Sequence, residues 1–237
     1  MPSTRRDNAA LSVTFGLVGT AGFGLADSFG LRLGVIYPLT ATAVFVALTA
    51  AVIRTGDEHP FPRFGAANYV TAVRATFVAL VASAIGHPAT PGMLWAVVGL
   101  TAVMGALDGL DGWLARRTRM ASAFGARFDM ETDALLILVL SVLVWQHDKA
   151  GVWVLLCGLM RYAFAAAGWL LPWLARPLRS TWRGKAVAVG QFVGLSVALA
   201  PVVPAPASTI AAGSALAALA WSFAVDIRWL SRRYRMS

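Results

Sequence analysis

Four aspartates lie close together near the middle of this 237-residue sequence: Asp108, Asp111, Asp129 and Asp133. They fall at the ends of two strongly apolar segments, so we expect them at the ends of two membrane helices. Ionised carboxylates persist at that depth only where they face a bundle interior or water and find a partner. The sequence shows no matching set of buried bases. We therefore expect the partner to be a divalent metal ion.

The helical spacing of these residues predicts two functional stripes, because positions i, i+3, i+4 and i+7 share one helix face. Packed side by side, the two helices would bring the four carboxylates together. Carboxylates without Cys or His favour Mg, Mn or Ca over Zn. Two such ions, beside small residues and one arginine, suit in-line displacement at phosphorus. The first stripe holds Asp108, Asp111, Gly112, Ala115 and Arg116, and the second holds Gly125, Asp129 and Asp133.

The same residues form a longer pattern. It reads Asp-x-x-Asp-Gly-x-x-Ala-Arg from Asp108, then eight residues, then Gly-x-x-x-Asp-x-x-x-Asp ending at Asp133. This pattern resembles the motif of the CDP-alcohol phosphotransferases, and the resemblance extends from about Asn68 to the C-terminus. It implies an integral membrane enzyme that moves a substituted phosphate group from a CDP-linked donor to an alcohol and releases CMP.

The resemblance also implies a role for each residue of the pattern. Two Mg²⁺ or Mn²⁺ ions would bind Asp108, Asp111 and Asp129, while Asp133 would complete the second metal site and act as the catalytic base. The CDP portion would be held by Gly112, Ala115, Arg116 and Gly125. We expect a homodimeric enzyme of phospholipid biosynthesis. Its donor would be CDP-diacylglycerol, and its acceptor would be a small polar alcohol such as glycerol 3-phosphate. Another acceptor or donor, with an inositol phosphate, serine or choline-type group, is the alternative within the same chemistry.

Other classes of protein also place acids within the membrane. A cation-coupled transporter would use them as a relay, and a buried network would use them to fix helix packing. A non-catalytic scaffold could retain the motif after losing its acceptor site. The transporter gives no reason for the Gly-x-x-Ala-Arg positions, so we favour the transferase. Glu131 points away from the second stripe and is left out of the site.

The composition predicts an all-α integral membrane protein, since 58% of the residues are hydrophobic and 13% are charged. In so apolar a chain, a net charge of +9 indicates basic loops against an anionic leaflet rather than a nucleic-acid partner. We expect a six-helix catalytic core over 61–237 and an N-terminal two-helix hairpin over 1–60, about eight transmembrane helices in all. A cleaved signal peptide is the alternative for the first apolar segment. The predicted core helices are 70–86, 92–115, 126–146, 150–173, 184–203 and 208–230.

Basic residues cluster at every second helix boundary. The positive-inside rule then places both termini, and the loop between the two acidic stripes, on the cytoplasmic side of a bacterial-type inner membrane. That is the side on which CDP-linked donors are made. Orientation and chemistry therefore agree, although they rest on different residues.

Three basic residues are candidates for binding the acceptor: Arg161, Arg183 and Lys185. Arg161 lies within an apolar segment and could contact a substrate phosphate or pair with an aspartate. Arg183 and Lys185 open a helix whose free backbone amides suit an anion, but they would also serve as inner-leaflet anchors. The pattern Asn68-x-x-Thr71-x-x-Arg74 also has two interpretations. These residues could contact a ligand, or they could form a helix cap with an interfacial anchor.

Overall fold

The computed structural model describes residues 65–118, 122–171, 173–174 and 181–235. These residues form helices and no strand, as the sequence predicts. The predicted N-terminal hairpin over 1–60 lies outside these residues. The predicted total of eight transmembrane helices includes that hairpin and therefore stays a prediction. The helices are α1 (Ala66–Ala82), α2 (Pro91–Thr118), α3 (Ala123–Gln146), a 3-10 turn (Val152–Leu155), α4 (Leu156–Leu170), α5 (Trp182–Leu199) and α6 (Ala205–Arg235).

Helix α1 begins and ends earlier than the predicted 70–86. Its first turn follows Gly65, whose φ of 85° lies in the region that glycine tolerates best. It ends at Ala82, and Gly86, with φ of +87°, lies in the turn that follows. No side chain caps α1 at its start. The interpretation of Asn68 or Thr71 as a helix cap is therefore wrong.

The chain divides into two compact units, Met1–Leu136 and Ile137–Ser237. In the described part of the first unit, α1 packs against α2. A small apolar core forms where Ala72 and Ala75 of α1 meet Phe128 of α3, with Tyr69 and Phe124 beside it. This core holds together the helices that carry the two acidic stripes.

Small residues allow close helix packing in the second unit. A Cβ atom at Gly158 of α4 would lie 2.4 Å from the Cα of Leu138, so only glycine permits this approach. Helices α5 and α6 pack together in the same way, and a Cβ atom at Gly194 would lie 3.0 Å from that of Ala215. Cys157, the only cysteine of the sequence, is buried in α4.

Lys149 ties the turn after α3 to the end of α5. Its Nζ donates to the carbonyl oxygens of Ala200, at 3.1 Å, and Val203, at 2.7 Å. Ser208 in turn donates to the carbonyl of Lys149. A cation at a helix C-terminus satisfies carbonyls that the helix itself leaves unbonded. This basic residue therefore has a structural role within the second unit.

Three segments are long and apolar enough to cross a membrane: Pro91–Thr118, Val152–Leu170 and Ala205–Tyr234. Only 28%, 17% and 17% of their most apolar windows are buried within the chain. Trp169 is 87% exposed and Ile210 is 70% exposed. Apolar helix faces left so bare need a lipid environment. The described residues thus have the character of a membrane protein.

Candidate active site

The C-terminal part of α2 and the N-terminal part of α3 carry the two predicted stripes. Ser122 precedes α3 and caps it, because its Oγ accepts the N–H of Gly125 at 3.0 Å. The cap fixes where α3 starts and hence which way Asp129 and Asp133 face. All these residues belong to the first unit.

Three of the acids lie close enough to share one cation. Asp108, Asp111 and Asp129 each offer a carboxylate oxygen, and these oxygens lie within 4.8 Å of one another. Among the described residues they form a group of hard oxygen ligands without His or Cys, which suits Mg²⁺ or Mn²⁺. The residues present therefore fit a divalent ion. Asp133 is not part of this group of three.

Arg74 of α1 contacts all four aspartates. Its Nη1 donates to Asp111 at 2.7 Å and to Asp129 at 2.5 Å. Its Nη2 lies 3.0 Å from an oxygen of Asp108 and also donates to Asp133. The arginine is 2% exposed. Asp133 is thus joined to the other acids through a shared guanidinium.

This contact corrects the expectation that the sequence holds no buried base for the acids. The base is Arg74, which comes more than thirty residues before the first aspartate. The available signal was its spacing from Asn68 and Thr71, which places the three polar residues on one face of an apolar helix. All three are buried. Burial within the first unit also rules out an exposed interfacial anchor at this face.

Thr71 completes the surroundings of the most buried acid. Its Oγ1 lies 3.2 Å from Asp111 Oδ2 and 3.2 Å from the carbonyl oxygen of Ala67. One hydroxyl proton serves one acceptor at a time, so Thr71 can bond to Asp111 or to the backbone of α1. The Asp111 side chain is 6% exposed, whereas those of Asp108 and Asp129 are 37% and 36% exposed.

A pocket of about 250 Å³ opens beside these acids. The four residues predicted to hold CDP all line this pocket: Gly112, Ala115, Arg116 and Gly125. The lining also includes Asn68, Thr71, Asp111, Ser122 and Asp129. The volume lies near the lower end of small-molecule sites, so it suits part of a head group and not a whole lipid.

Two glycines of the pocket lie where a larger side chain would crowd its neighbours. A Cβ atom at Gly125 would lie 2.6 Å from Oδ1 of Asn68, closer than real Cβ contacts allow. A Cβ atom at Gly112 would lie 3.4 Å from Nη1 of Arg116. The guanidinium of Arg116 therefore rests over Gly112. Both glycines allow polar side chains of the pocket to lie close to the helix backbone.

The three residues predicted to bind the acceptor all lie in the second unit. Arg161 is half-buried in α4, and Lys185 is exposed near the start of α5. Arg183 pairs with Asp226, donates to the carbonyl of Ser222 at 2.8 Å and stacks over Trp221. Its guanidinium thus links α5 to α6. The acceptor-binding role of all three residues stays a prediction.

Two of the backbone amides at the start of α5 are already bonded within the helix. Thr181 caps the helix by accepting the N–H of Gly184 at 3.2 Å. The N–H of Lys185 bonds to the carbonyl of Thr181. Neither amide is free for an anion, because the threonine and its backbone already use both.

Comparison with known proteins places this arrangement in a family. The family model of the CDP-alcohol phosphatidyltransferases matches residues 64–225. The chain belongs to the CDP-alcohol phosphatidyltransferase family. No curated protein and no solved structure matches the chain at a significant level. The match includes every predicted site residue, from Asp108 to Lys185.

Membership in the CDP-alcohol phosphatidyltransferases gives the general activity. The protein is a membrane transferase of phospholipid synthesis, which uses a CDP-linked donor and an alcohol acceptor. The family depends on divalent metal ions, and the group formed by Asp108, Asp111 and Asp129 has the chemistry to hold one. A transferase also accounts for the Gly-x-x-Ala-Arg residues that line the pocket, which a transporter leaves unexplained.

Proposed function

We propose that the protein transfers the phosphatidyl group of CDP-diacylglycerol to a small polar alcohol, for example glycerol 3-phosphate, and releases CMP. The observation that carries the proposal is the lining of the pocket. Four residues of the family pattern without a carboxylate, Gly112, Ala115, Arg116 and Gly125, face the same space as Asp111 and Asp129. Nucleotide-binding residues and metal ligands would meet there.

Two Mg²⁺ or Mn²⁺ ions would be held by the four aspartates, with Asp133 completing the second site. The oxygen-only ligand set and its close spacing support this assignment. Bound divalent ions would neutralise the charge of the donor's diphosphate and of the departing CMP.

The residues of the pocket would position the donor. Gly112 and Gly125 have no side chain, so Arg116 and Asn68 can lie against the helix backbone at the edge of the pocket, where they would face the nucleotide. Arg116 lies over Gly112 and would direct its charge at the diphosphate. With a pocket of about 250 Å³, the acyl chains of the donor would remain outside, in the lipid.

Asp133 would act as the general base. It would take the proton of the acceptor hydroxyl while the alcohol oxygen bonds to the phosphorus that carries diacylglycerol. The bond from this phosphorus to the bridging oxygen would break, and its electron pair would leave with CMP. Asp133 lies one helical turn after Asp129 and shares Arg74 with it, which supports a position beside the reacting groups.

The remaining assignments rest on the sequence. Arg161, Arg183 and Lys185 would bind a phosphorylated acceptor, and the protein would function as a homodimer in a bacterial-type inner membrane. The basic residues at alternate helix boundaries support a cytoplasmic position for the active site and both termini. These features belong to the proposal as a whole.

The test is CMP release by the purified protein in detergent, with CDP-diacylglycerol and Mg²⁺ or Mn²⁺. The acceptors are glycerol 3-phosphate, inositol phosphate, serine and choline, each in a separate reaction. We expect metal-dependent release of CMP with glycerol 3-phosphate and transfer of the radiolabelled alcohol into lipid.

An Asp129→Asn variant is the matched control, because it removes one proposed ligand while keeping the side-chain size. If CMP is released with another alcohol instead, the proposed acceptor is wrong and the proposed transfer reaction stands. Failure of the wild type to bind CDP-diacylglycerol or to release CMP with any of them would contradict the proposal.

A further inference from the structure

Arg74 uses the same carboxylates that the proposed metal ions would need. Each aspartate gives it one oxygen: Oδ1 of Asp108, Oδ2 of Asp111, Oδ1 of Asp129 and Oδ1 of Asp133. A carboxylate oxygen that binds a guanidinium at hydrogen-bond distance is not well placed to bind a divalent ion as well. The two cations would also repel each other across so short a distance.

The hydrogen bonds of Arg74 show what holds it. Both Nη atoms bond only to the aspartates in the described part of the chain, and Nε is buried without a hydrogen-bond partner there. An arginine with a purely structural role would be expected to use all its donors, since buried polar groups rarely go unsatisfied. The position of this guanidinium therefore depends on the negative charge of the acids.

The charges of the site also favour an exchange. Four carboxylates beside one guanidinium leave an excess of negative charge inside the first unit. Two divalent ions would neutralise all four carboxylates by themselves. Arg74 would then be a surplus positive charge, whereas without divalent ions it is the contact that keeps the acids from repelling one another.

We propose that Arg74 is a built-in counter-ion of the metal site, and that divalent cations bind the four aspartates in competition with it. The inference rests on the proposed function only in taking these aspartates as metal ligands. It predicts that Arg74 lowers metal affinity and preserves the site when metal is scarce. The opposite role, a permanent arginine that strengthens metal binding, is an outcome of the same experiment.

The experiment measures Mn²⁺ binding by the full chain in detergent, from the EPR signal of free Mn²⁺. The variants are Arg74→Gln, Arg74→Lys and the control Arg117→Gln. Arg117 lies on α2 with its guanidinium over Trp113, so its removal makes the same charge change away from the acids. Thermal unfolding of each protein is measured in EDTA and in Mn²⁺.

We expect Arg74→Gln to bind Mn²⁺ about tenfold more tightly than wild type, a typical size for coupling between two ligands. In EDTA it should unfold at a lower temperature, and Mn²⁺ should stabilise it more than wild type. Arg117→Gln should match wild type in both measurements. Arg74→Lys should bind Mn²⁺ more tightly than wild type, since one ammonium has too few donors for four carboxylates. It decides the question if Arg74→Gln does not fold.

Unchanged or weaker Mn²⁺ binding by the Arg74 variants would overturn the inference while leaving the metal site intact. An Asp111→Asn variant separates this result from a failure of the proposed function. If neither wild type nor the Arg74 variants bind Mn²⁺, and Asp111→Asn behaves identically, the aspartates are not metal ligands. Both proposals would then fall together.

Discussion

The guanidinium of Arg74 and the carboxylate of Asp111 lie 2.7 Å apart, and their side chains are 2% and 6% exposed. Asp108 contacts the same guanidinium at 3.0 Å but is 37% exposed. Two aspartates one helical turn apart thus contact the same guanidinium, but the side chain of Asp111 is buried and that of Asp108 is partly exposed. This difference separates their effects on stability from their effects on activity.

We expect Asp111→Asn to lower the free energy of unfolding by about 1–3 kcal/mol, because it leaves a buried guanidinium short of one charged acceptor. Asp108→Asn should cost about 0–1 kcal/mol, since solvent screens the more exposed pair. Both should reduce CMP release by about 100-fold or more, as proposed metal ligands. Thermal unfolding and CMP release measure the two effects, and equal losses of stability would contradict this account of burial.

Asp133→Asn tests the general base. The amide keeps the shape of the side chain but takes no proton, so we expect kcat to fall by about 100-fold or more. Binding of CDP-diacylglycerol should fall much less than kcat, because Asp133 does not line the pocket and the Asn side chain keeps one oxygen for the metal ion. Equilibrium binding of the labelled donor, measured beside CMP release, checks this. Loss of donor binding together with turnover would make Asp133 a binding residue instead.

Gly125→Ala tests the close approach of α3 to Asn68. The new methyl group would lie 2.6 Å from the amide oxygen of Asn68, so we expect weaker donor binding and a loss of about 1–3 kcal/mol in stability. Gly99→Ala on α2 is the control, since nothing lies within 4 Å of its added Cβ atom. The double variant Gly125→Ala, Asn68→Ala should lose less stability than the sum of the two single variants, because the clash is absent once Asn68 is shortened. Additive losses would mean that the clash lies elsewhere.

Arg183 and Lys185 should respond differently to the same substitution. Arg183→Gln breaks the contacts to Asp226 and Ser222, so we expect a loss of about 1–3 kcal/mol in stability. Lys185→Gln, on an exposed side chain, should leave stability unchanged and raise KM for glycerol 3-phosphate. Thermal unfolding and acceptor titrations are the measurements. An unchanged KM in Lys185→Gln would remove that residue from the acceptor site.

Much of the fold follows from local sequence patterns. The apolar segments predicted the helices from α2 to α6, and the aspartate spacing placed each acid on its helix, because both depend on residues close in sequence. The bounds were less accurate. The predicted helix 150–173 starts as a 3-10 turn over Val152–Leu155, and α6 extends past the predicted 230 to Arg235.

Contacts between distant parts of the chain could not be predicted in the same way. The partnership of Arg74 with four aspartates depends on how α1 packs against α2 and α3, and no local pattern encodes that packing. Likewise, the Thr181 cap and the pair of Arg183 with Asp226 depend on rotamers and helix packing. The sequence motif identified the four aspartates, whereas their counter-ion, Arg74, was found only in the tertiary structure.

The burial of Cys157 makes this protein convenient for site-directed labelling. Its side chain is 3% exposed, and the sequence contains no other cysteine. A hydrophilic maleimide should therefore leave the native thiol unmodified and react only with a cysteine placed by mutagenesis. Accessibility of such positions from each side of sealed vesicles would report the membrane topology of every loop without a cysteine-free background.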